Sequence, residues 1–117
     1  MTTQTNENGS LVISSSVYTD IAGNAAINCF GVKGMVARSM VDGVQHLLRK
    51  DRVSKGVKVE FHDDNTISID LHIMVDNGVN LTAVGSSIIS EVRYVVQNCT
   101  GTGVRAVNVY VDSVLIG

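Results

Sequence analysis

Two alternating segments on either side of a turn cluster constrain the fold of this chain most strongly. Apolar side chains occupy every second position in them: Val57, Val59 and Phe61, then Ile67, Ile69, Leu71, Ile73 and Val75. A period of two places alternate side chains on opposite faces of a strand, so the pattern predicts a β-hairpin with one apolar face. A two-residue turn would oppose Glu60 to Ile69, whereas a three-residue turn opposes Val59 to Ile69 and keeps that face apolar. Asn65 also suits the left-handed position of the longer turn.

The residues before the hairpin predict a strand and a helix. Leu11–Ile13 form the strand, and Ser14, Ser15 and Ser16 offer N-caps for the helix. Apolar groups then recur at steps of four along one helical face, at Val17, Ile21, Ala25 and Cys29. Tyr18 and Ala22 broaden that face. A second, less regular helix is predicted from Met35 to Lys50.

The residues after the hairpin predict a long helix and a last strand. The helix runs from Leu81 to Asn98, with Asn80 as its N-cap and Gly101 as its C-cap. The strand begins at Val104, and a helical crossover of this length favours its parallel pairing with a hairpin strand. The element order is therefore β-α-[α]-β-β-α-β. It predicts an α+β fold, in which helices pack on one face of a small mixed sheet.

Composition limits the domain organisation and the classes of partner. The chain has 117 residues, enough for one domain. Residues 1–9 are polar and are predicted to be a disordered tail, with residues 10–117 as the single domain. The net charge of −2 makes a nucleic-acid partner unfavourable, because phosphate binding needs a basic surplus. Neither a membrane span nor a signal peptide is apparent, so a cytoplasmic location is expected, with Cys29 and Cys99 as reduced, buried thiols.

The side chains that could carry chemistry form no recognisable active site. His62 and His72 lie roughly 20 Å apart on the predicted hairpin, too far to share a metal. Asp63 and Asp64 fit turn formation better than acid–base catalysis, because such side chains bond their own backbone. No phosphate-binding or nucleophile motif occurs in the sequence. We therefore predict no catalytic, cofactor-binding or metal-binding residues, no enzymatic activity and no small-molecule substrate.

One glycine motif has two interpretations. Gly31-Val32-Lys33-Gly34 is a G-x-x-G, the pattern of the loop between two helices with which KH domains clamp single-stranded RNA. Under this alternative, Gly31, Lys33, Gly34 and Arg38 would contact RNA. The favoured interpretation is structural, with Gly31 as a helix C-cap followed by a turn, because such a short motif is weak evidence in a chain with 11 glycines.

Several ordered motifs resemble those of the alkaline shock protein family, small stress-associated bacterial proteins. They are "IAGNAAINCFGVKGM" at 21–35, "GVKVE" at 56–60, "NGVNL" at 77–81 and "TGTGVRAVNVYV" at 100–111. The long helix has fewer charged residues than is usual in the family. The resemblance covers roughly residues 10 to 112 and supports the predicted element order.

The resemblance implies a non-enzymatic function in cell-envelope stress, as in Gram-positive-type bacteria. The expected partners are further copies of the chain and a separate membrane anchor protein, which would hold it at the membrane from the cytoplasm. Exposed sheet edges are one candidate surface, since they invite β-pairing. The other is the polar face of the hairpin, formed by Lys58, Glu60, His62, Ser68, Asp70 and His72.

Overall fold

The computed structural model describes residues 1–37 and 50–116. Its strands are β1 (Thr2–Asn6), β2 (Gly9–Ile13), β3 (Val32–Met35), β4 (Val57–Phe61), β5 (Ile67–Val75) and β6 (Val104–Val114). Its α-helices are α1 (Ser15–Ile27) and α2 (Leu81–Thr100), and a 3₁₀ helix spans Lys50–Gly56.

Strand β5 is the centre of a four-stranded mixed sheet. β3 and β4 pair antiparallel with successive parts of β5 along one edge, and β6 pairs parallel with it along the other. Val59 lies opposite Ile69 and Phe61 opposite Ile67, which confirms the predicted hairpin register. Asn65 has a φ of 67°, which confirms the left-handed residue of the turn.

The core lies between the sheet and the two helices. All five apolar residues on one side of β5 are fully buried: Ile67, Ile69, Leu71, Ile73 and Val75. They pack against one stripe of α2, made of Val84, Ile88, Val92 and Val96, and against the small side chains of α1. Burial of these apolar surfaces is the main favourable term in folding. The predicted α+β class, with helices on one face of a mixed sheet, is confirmed.

Both predicted caps of α2 are confirmed. The Asn80 side chain accepts a hydrogen bond of 3.0 Å from the Ala83 amide, and Gly101 is left-handed with a φ of 73°. Between these caps α2 carries the chain across the sheet, so that β6 runs parallel to β5. Within residues 1–37 and 50–116, no helix has both the length and the apolar character needed to cross a membrane.

The N-terminal segment differs from its prediction as a disordered tail. Thr2–Asn6 form β1 and pair antiparallel with β2. Thr2 is buried and shares a hydrogen bond with the Tyr18 hydroxyl, while Gln4 donates one of 2.7 Å to the Thr100 carbonyl. These bonds are polar, so a search for apolar periodicity does not detect the strand.

The first helix buries much of the predicted face, namely Ala25 and the broadening residues Tyr18 and Ala22, while Ile21 and Cys29 are only partly buried. Tyr18, Ala22 and Ala26 are fully buried, whereas Val17 is 41% exposed. The Tyr18 hydroxyl also bonds Thr102 at 2.6 Å, and this satisfied polar end lets the aromatic ring enter the core. Small side chains at the other buried positions let the helix approach the sheet closely.

Three further expectations are corrected or fall outside the described residues. Met35 ends β3 instead of beginning a helix, and most of the predicted second helix, residues 38–49, lies outside the described part of the chain.

Cys29 is only half-buried and Cys99 is exposed, so neither is the buried thiol we expected. Partial burial raises the pKa of the Cys29 thiol, and the nearby Glu91 carboxylate makes a smaller contribution in the same direction.

Candidate functional site

The side of the sheet opposite the helices carries the six polar residues predicted as an interaction surface. In the strand register Lys58 lies opposite Asp70 and Glu60 lies opposite Ser68, so these side chains share one face of the hairpin. We call this surface the open face; it comprises Lys58, Glu60, His62, Ser68, Asp70 and His72 from β4, β5 and the turn after β4, with Asn108, Tyr110 and Asp112 from β6. Its residues on β5 are half-buried, whereas those on the core side of β5 are fully buried.

Hydrogen bonds hold part of the open face in a defined arrangement. The His62 Nε2 atom lies 2.7 Å from the Ser68 hydroxyl. Asn108 donates a bond of 2.9 Å from its amide to the Asp70 carboxylate on the neighbouring strand. Side chains that are already oriented lose less conformational entropy when a partner binds.

His72 is the most constrained side chain of this surface. Its Nδ1 atom lies 2.8 Å from the Asp112 carboxylate, and its ring stacks on Tyr110 with centroids 4.7 Å apart and an interplanar angle of 11°. The pair resembles the orienting half of a catalytic triad, but among residues 1–37 and 50–116 no hydroxyl or thiol is hydrogen-bonded to the His72 ring. In the described ranges, no three potential metal-ligating side chains come together either.

The charge of the open face is mainly acidic. The carboxylates of Glu60, Asp70 and Asp112 outnumber the single ammonium of Lys58. Glu60 and Lys58 are exposed, so both charges are accessible to a partner. Such a surface favours a partner with basic and polar groups, since complementary charges speed and orient association.

Beyond the open face, a second charged cluster lies at the hairpin turn. The Asp64 carboxylate accepts bonds from the Thr66 hydroxyl at 2.6 Å and from Arg105 at 3.0 Å. The Thr66 hydroxyl and then the Arg105 guanidinium lower the pKa of Asp64 to about 2. These contacts stabilise the turn, in agreement with the structural role predicted for Asp64.

Sequence reasoning missed the contribution of β6 to this surface. Asn108 lies opposite Asp70 and Tyr110 opposite His72 in the parallel register. The sequence carried a signal for both, because β6 also alternates with a period of two and was predicted to pair in parallel with the hairpin. The sequence pattern did not specify the register between β5 and β6, because that register depends on the path of α2.

The G-x-x-G motif is not a loop between two helices. Gly31 has a φ of 86° in the turn that leads into β3, and Val32 to Met35 pair with β5. The C-cap of α1 is Asn28, so the cap predicted at Gly31 is wrong, although its turn is present.

This placement removes the geometry that a KH-type clamp requires. Gly34 is buried and lies in the ladder with β5, and only the Lys33 side chain is exposed. Arg38, the remaining predicted RNA contact, lies outside the described residues. Glycine is needed at position 31 for packing, because a Cβ there would lie 2.9 Å from a Val84 methyl.

Comparison with known proteins supports the resemblance found in the motifs. Residues 3–116 match the model of the alkaline shock protein 23 family, which is described as having a cell envelope-related function. The uncharacterized protein YloU of Bacillus subtilis is 35% identical over 109 residues, covering 92% of this chain and 90% of YloU. Spy1614 of Streptococcus pyogenes, also uncharacterized, is 33% identical over 111 residues, covering 94% and 91%.

A solved structure shares the fold. The manganese form of a MamM CTD variant with a glutamate-to-aspartate substitution superposes with a TM-score of 0.51 and 16% identity. The match covers 86% of this chain and 99% of that one. At this identity the likeness concerns the fold alone.

Proposed function

The chain belongs to the alkaline shock protein 23 family, and on that premise we propose that it is a non-enzymatic interaction protein of the cell-envelope stress response. It acts by binding partner proteins through the open face. The observation that carries the proposal is the arrangement of this surface, in which hydrogen-bonded side chains of β5 and β6 lie on the side of the sheet away from α1 and α2.

The chemistry of the open face favours recognition over catalysis. His62, Asp70 and His72 are each engaged by a neighbouring side chain. Tyr110 is 46% exposed and adds aromatic area, which is enriched in protein interfaces. Exposed Lys58 and Glu60 would form the charged rim of such an interface.

The partner that fits this surface is a basic, polar segment of a membrane anchor protein. Three carboxylates on the open face attract such a segment. In this view the chain stays cytoplasmic and is held at the membrane only through the partner. Self-association of the chain is the second component of the proposal, because several copies on several anchors would strengthen membrane attachment.

Matched charge reversals test the proposal. Glu60→Lys/Asp70→Lys reverses two charges on the open face, and Asp20→Lys/Glu91→Lys makes the same change in net charge on the helix side. Each tagged variant would be produced in its native bacterium in place of the wild type. The fraction that sediments with membranes would be measured, and the partner cross-linked to it would be identified.

The two variants should behave differently. We expect the membrane-bound fraction of the open-face variant to fall at least about tenfold, and its cross-link to the anchor protein to disappear. The helix-side variant should keep both the membrane-bound fraction and the cross-link. Far-ultraviolet circular dichroism of each purified variant controls for folding. Equal behaviour of the two folded variants would contradict the proposed role of the open face.

A further inference from the structure

The outer edge of β6 has no strand paired with it within residues 1–37 and 50–116. β6 pairs with β5 alone, along the whole length from Val104 to Val114. Its 11 residues make it the longest of the strands described. Half of its backbone amides and carbonyls point away from β5, and of these the Val104 amide donates to the Gln97 Oε1 atom at 3.1 Å. The rest of this edge is open to pairing with another strand.

This edge also lacks the usual protection against pairing. Charged side chains, especially lysine, and proline normally prevent edge strands from joining. From Ala106 to Ile116 the only charged residue is Asp112, which His72 already binds, and the chain contains no proline. β-Bulges occur near both ends of β6, but the stretch from Ala106 to Val111 pairs regularly.

The helix layer covers only the first half of β6. On the side facing α2, Val107 is 6% exposed, whereas Val111 and Val114 are 36% and 39% exposed. Leu115 and Ile116, which follow the strand, are 40% and 84% exposed. An unpaired backbone edge and uncovered apolar side chains therefore occur together at the same end of β6.

A second copy of the chain fits this edge in one antiparallel register. Full overlap of two β6 strands places Val109 on a two-fold axis, with Val104 of one copy opposite Val114 of the other. The uncovered Val111 of each copy then faces the covered Val107 of its partner, close to the partner's α2. Asp112 meets Ala106 and Arg105 meets Ser113, so no like charges are opposed.

We propose that this protein forms a two-fold symmetric dimer in which the β6 strands of two copies pair antiparallel and join their sheets into one of eight strands. The inference extends the self-association component of the proposed function. It leaves the open faces of both copies on the same side of the joined sheet, because antiparallel residues directly opposite share a face. A dimer would then present two binding surfaces to the membrane partner.

A pair of lysine substitutions tests the location of the interface. Val111→Lys puts a charge within the proposed contact, two residues from the two-fold axis, and Leu81→Lys changes a similarly exposed apolar residue, 48% exposed, at the start of α2. Light scattering and sedimentation of the full chain measure the dissociation constant of the dimer. We expect wild type and Leu81→Lys to be dimers, and Val111→Lys to dissociate about 30-fold more readily.

Cysteine cross-linking tests the register independently. In a Cys29→Ser/Cys99→Ser background, Asn108→Cys and Tyr110→Cys are purified separately and then mixed. The proposed register opposes residue 108 of one copy to residue 110 of the other. A disulfide-linked dimer should therefore form in the oxidised mixture and not in either variant alone.

The outcomes separate this inference from the broader proposal. A Val111→Lys protein that remains as dimeric as wild type, or cross-linking in only one of the separate variants, would overturn the pairing described here. Self-association itself would survive both results. A wild-type chain that stays monomeric at high concentration would overturn both the dimer and the self-association component, but would leave the anchor binding of the open face intact.

Discussion

Replacing Gly31 with alanine tests whether the G-x-x-G motif serves packing. Gly31 has a φ of 86°, and a Cβ there would lie 2.9 Å from a Val84 methyl and 3.3 Å from a Val79 methyl. Gly78 has nearly the same φ, 87°, but a Cβ there would meet nothing within 4 Å. The two glycines therefore share the backbone strain and differ in the available space.

The expected magnitudes follow from these two terms. A left-handed alanine costs about 1–2 kcal/mol relative to glycine, and this cost applies at both positions. Overpacking against a β-branched side chain adds about 1–3 kcal/mol at position 31 only. Gly31→Ala should therefore lower the free energy of unfolding by about 2–5 kcal/mol, and Gly78→Ala by about 1–2 kcal/mol.

Urea unfolding of the two variants measures the difference. With a slope near 2 kcal/mol per molar urea, an extra loss of about 2 kcal/mol moves the midpoint of Gly31→Ala roughly 1 M below that of Gly78→Ala. The slopes should remain equal to that of the wild type. If Gly31→Ala were as stable as Gly78→Ala, the contact between the turn and α2 would not constrain position 31, and the structural interpretation of the motif would be refuted.

Three other predictions concern the helix cap, the hairpin turn and the thiols. Asn80→Ala should lower the free energy of unfolding by about 1 kcal/mol, whereas Asn80→Asp should retain the cap; thermal unfolding compares them. Asp64 has its pKa lowered from 3.8 to about 2, so its stabilising contribution is present above pH 3.8 and is lost as the pH falls through about 2. Thr66→Val should raise the Asp64 pKa measured by carboxyl NMR titration, and an unchanged value would exclude the hydroxyl as its cause. A thiol reagent should modify exposed Cys99 faster than Cys29, and a fast phase that persists in Cys99→Ser would contradict this order.

The sequence alone determined the hairpin and α2. The register of Val59 opposite Ile69 followed from a period of two and from the turn chemistry of Asn65, both of which act over a few neighbouring residues. The ends of α2 followed from its capping residues for the same reason. The family motifs in their order added the class of function, which the family match confirms at the level of the cell envelope.

Tertiary structure decided the elements held by contacts between distant residues. Thr2 joins the domain through Tyr18, and position 31 requires glycine because a Cβ there would lie 2.9 Å from a Val84 methyl of α2. β6 brings Tyr110 beside His72, which adds an aromatic ring to the open face. These contacts join residues far apart in the chain and several of them are polar. Local apolar periodicity therefore does not predict them. The register of β6 depends on the path of a whole helix, and only the packed structure specifies it.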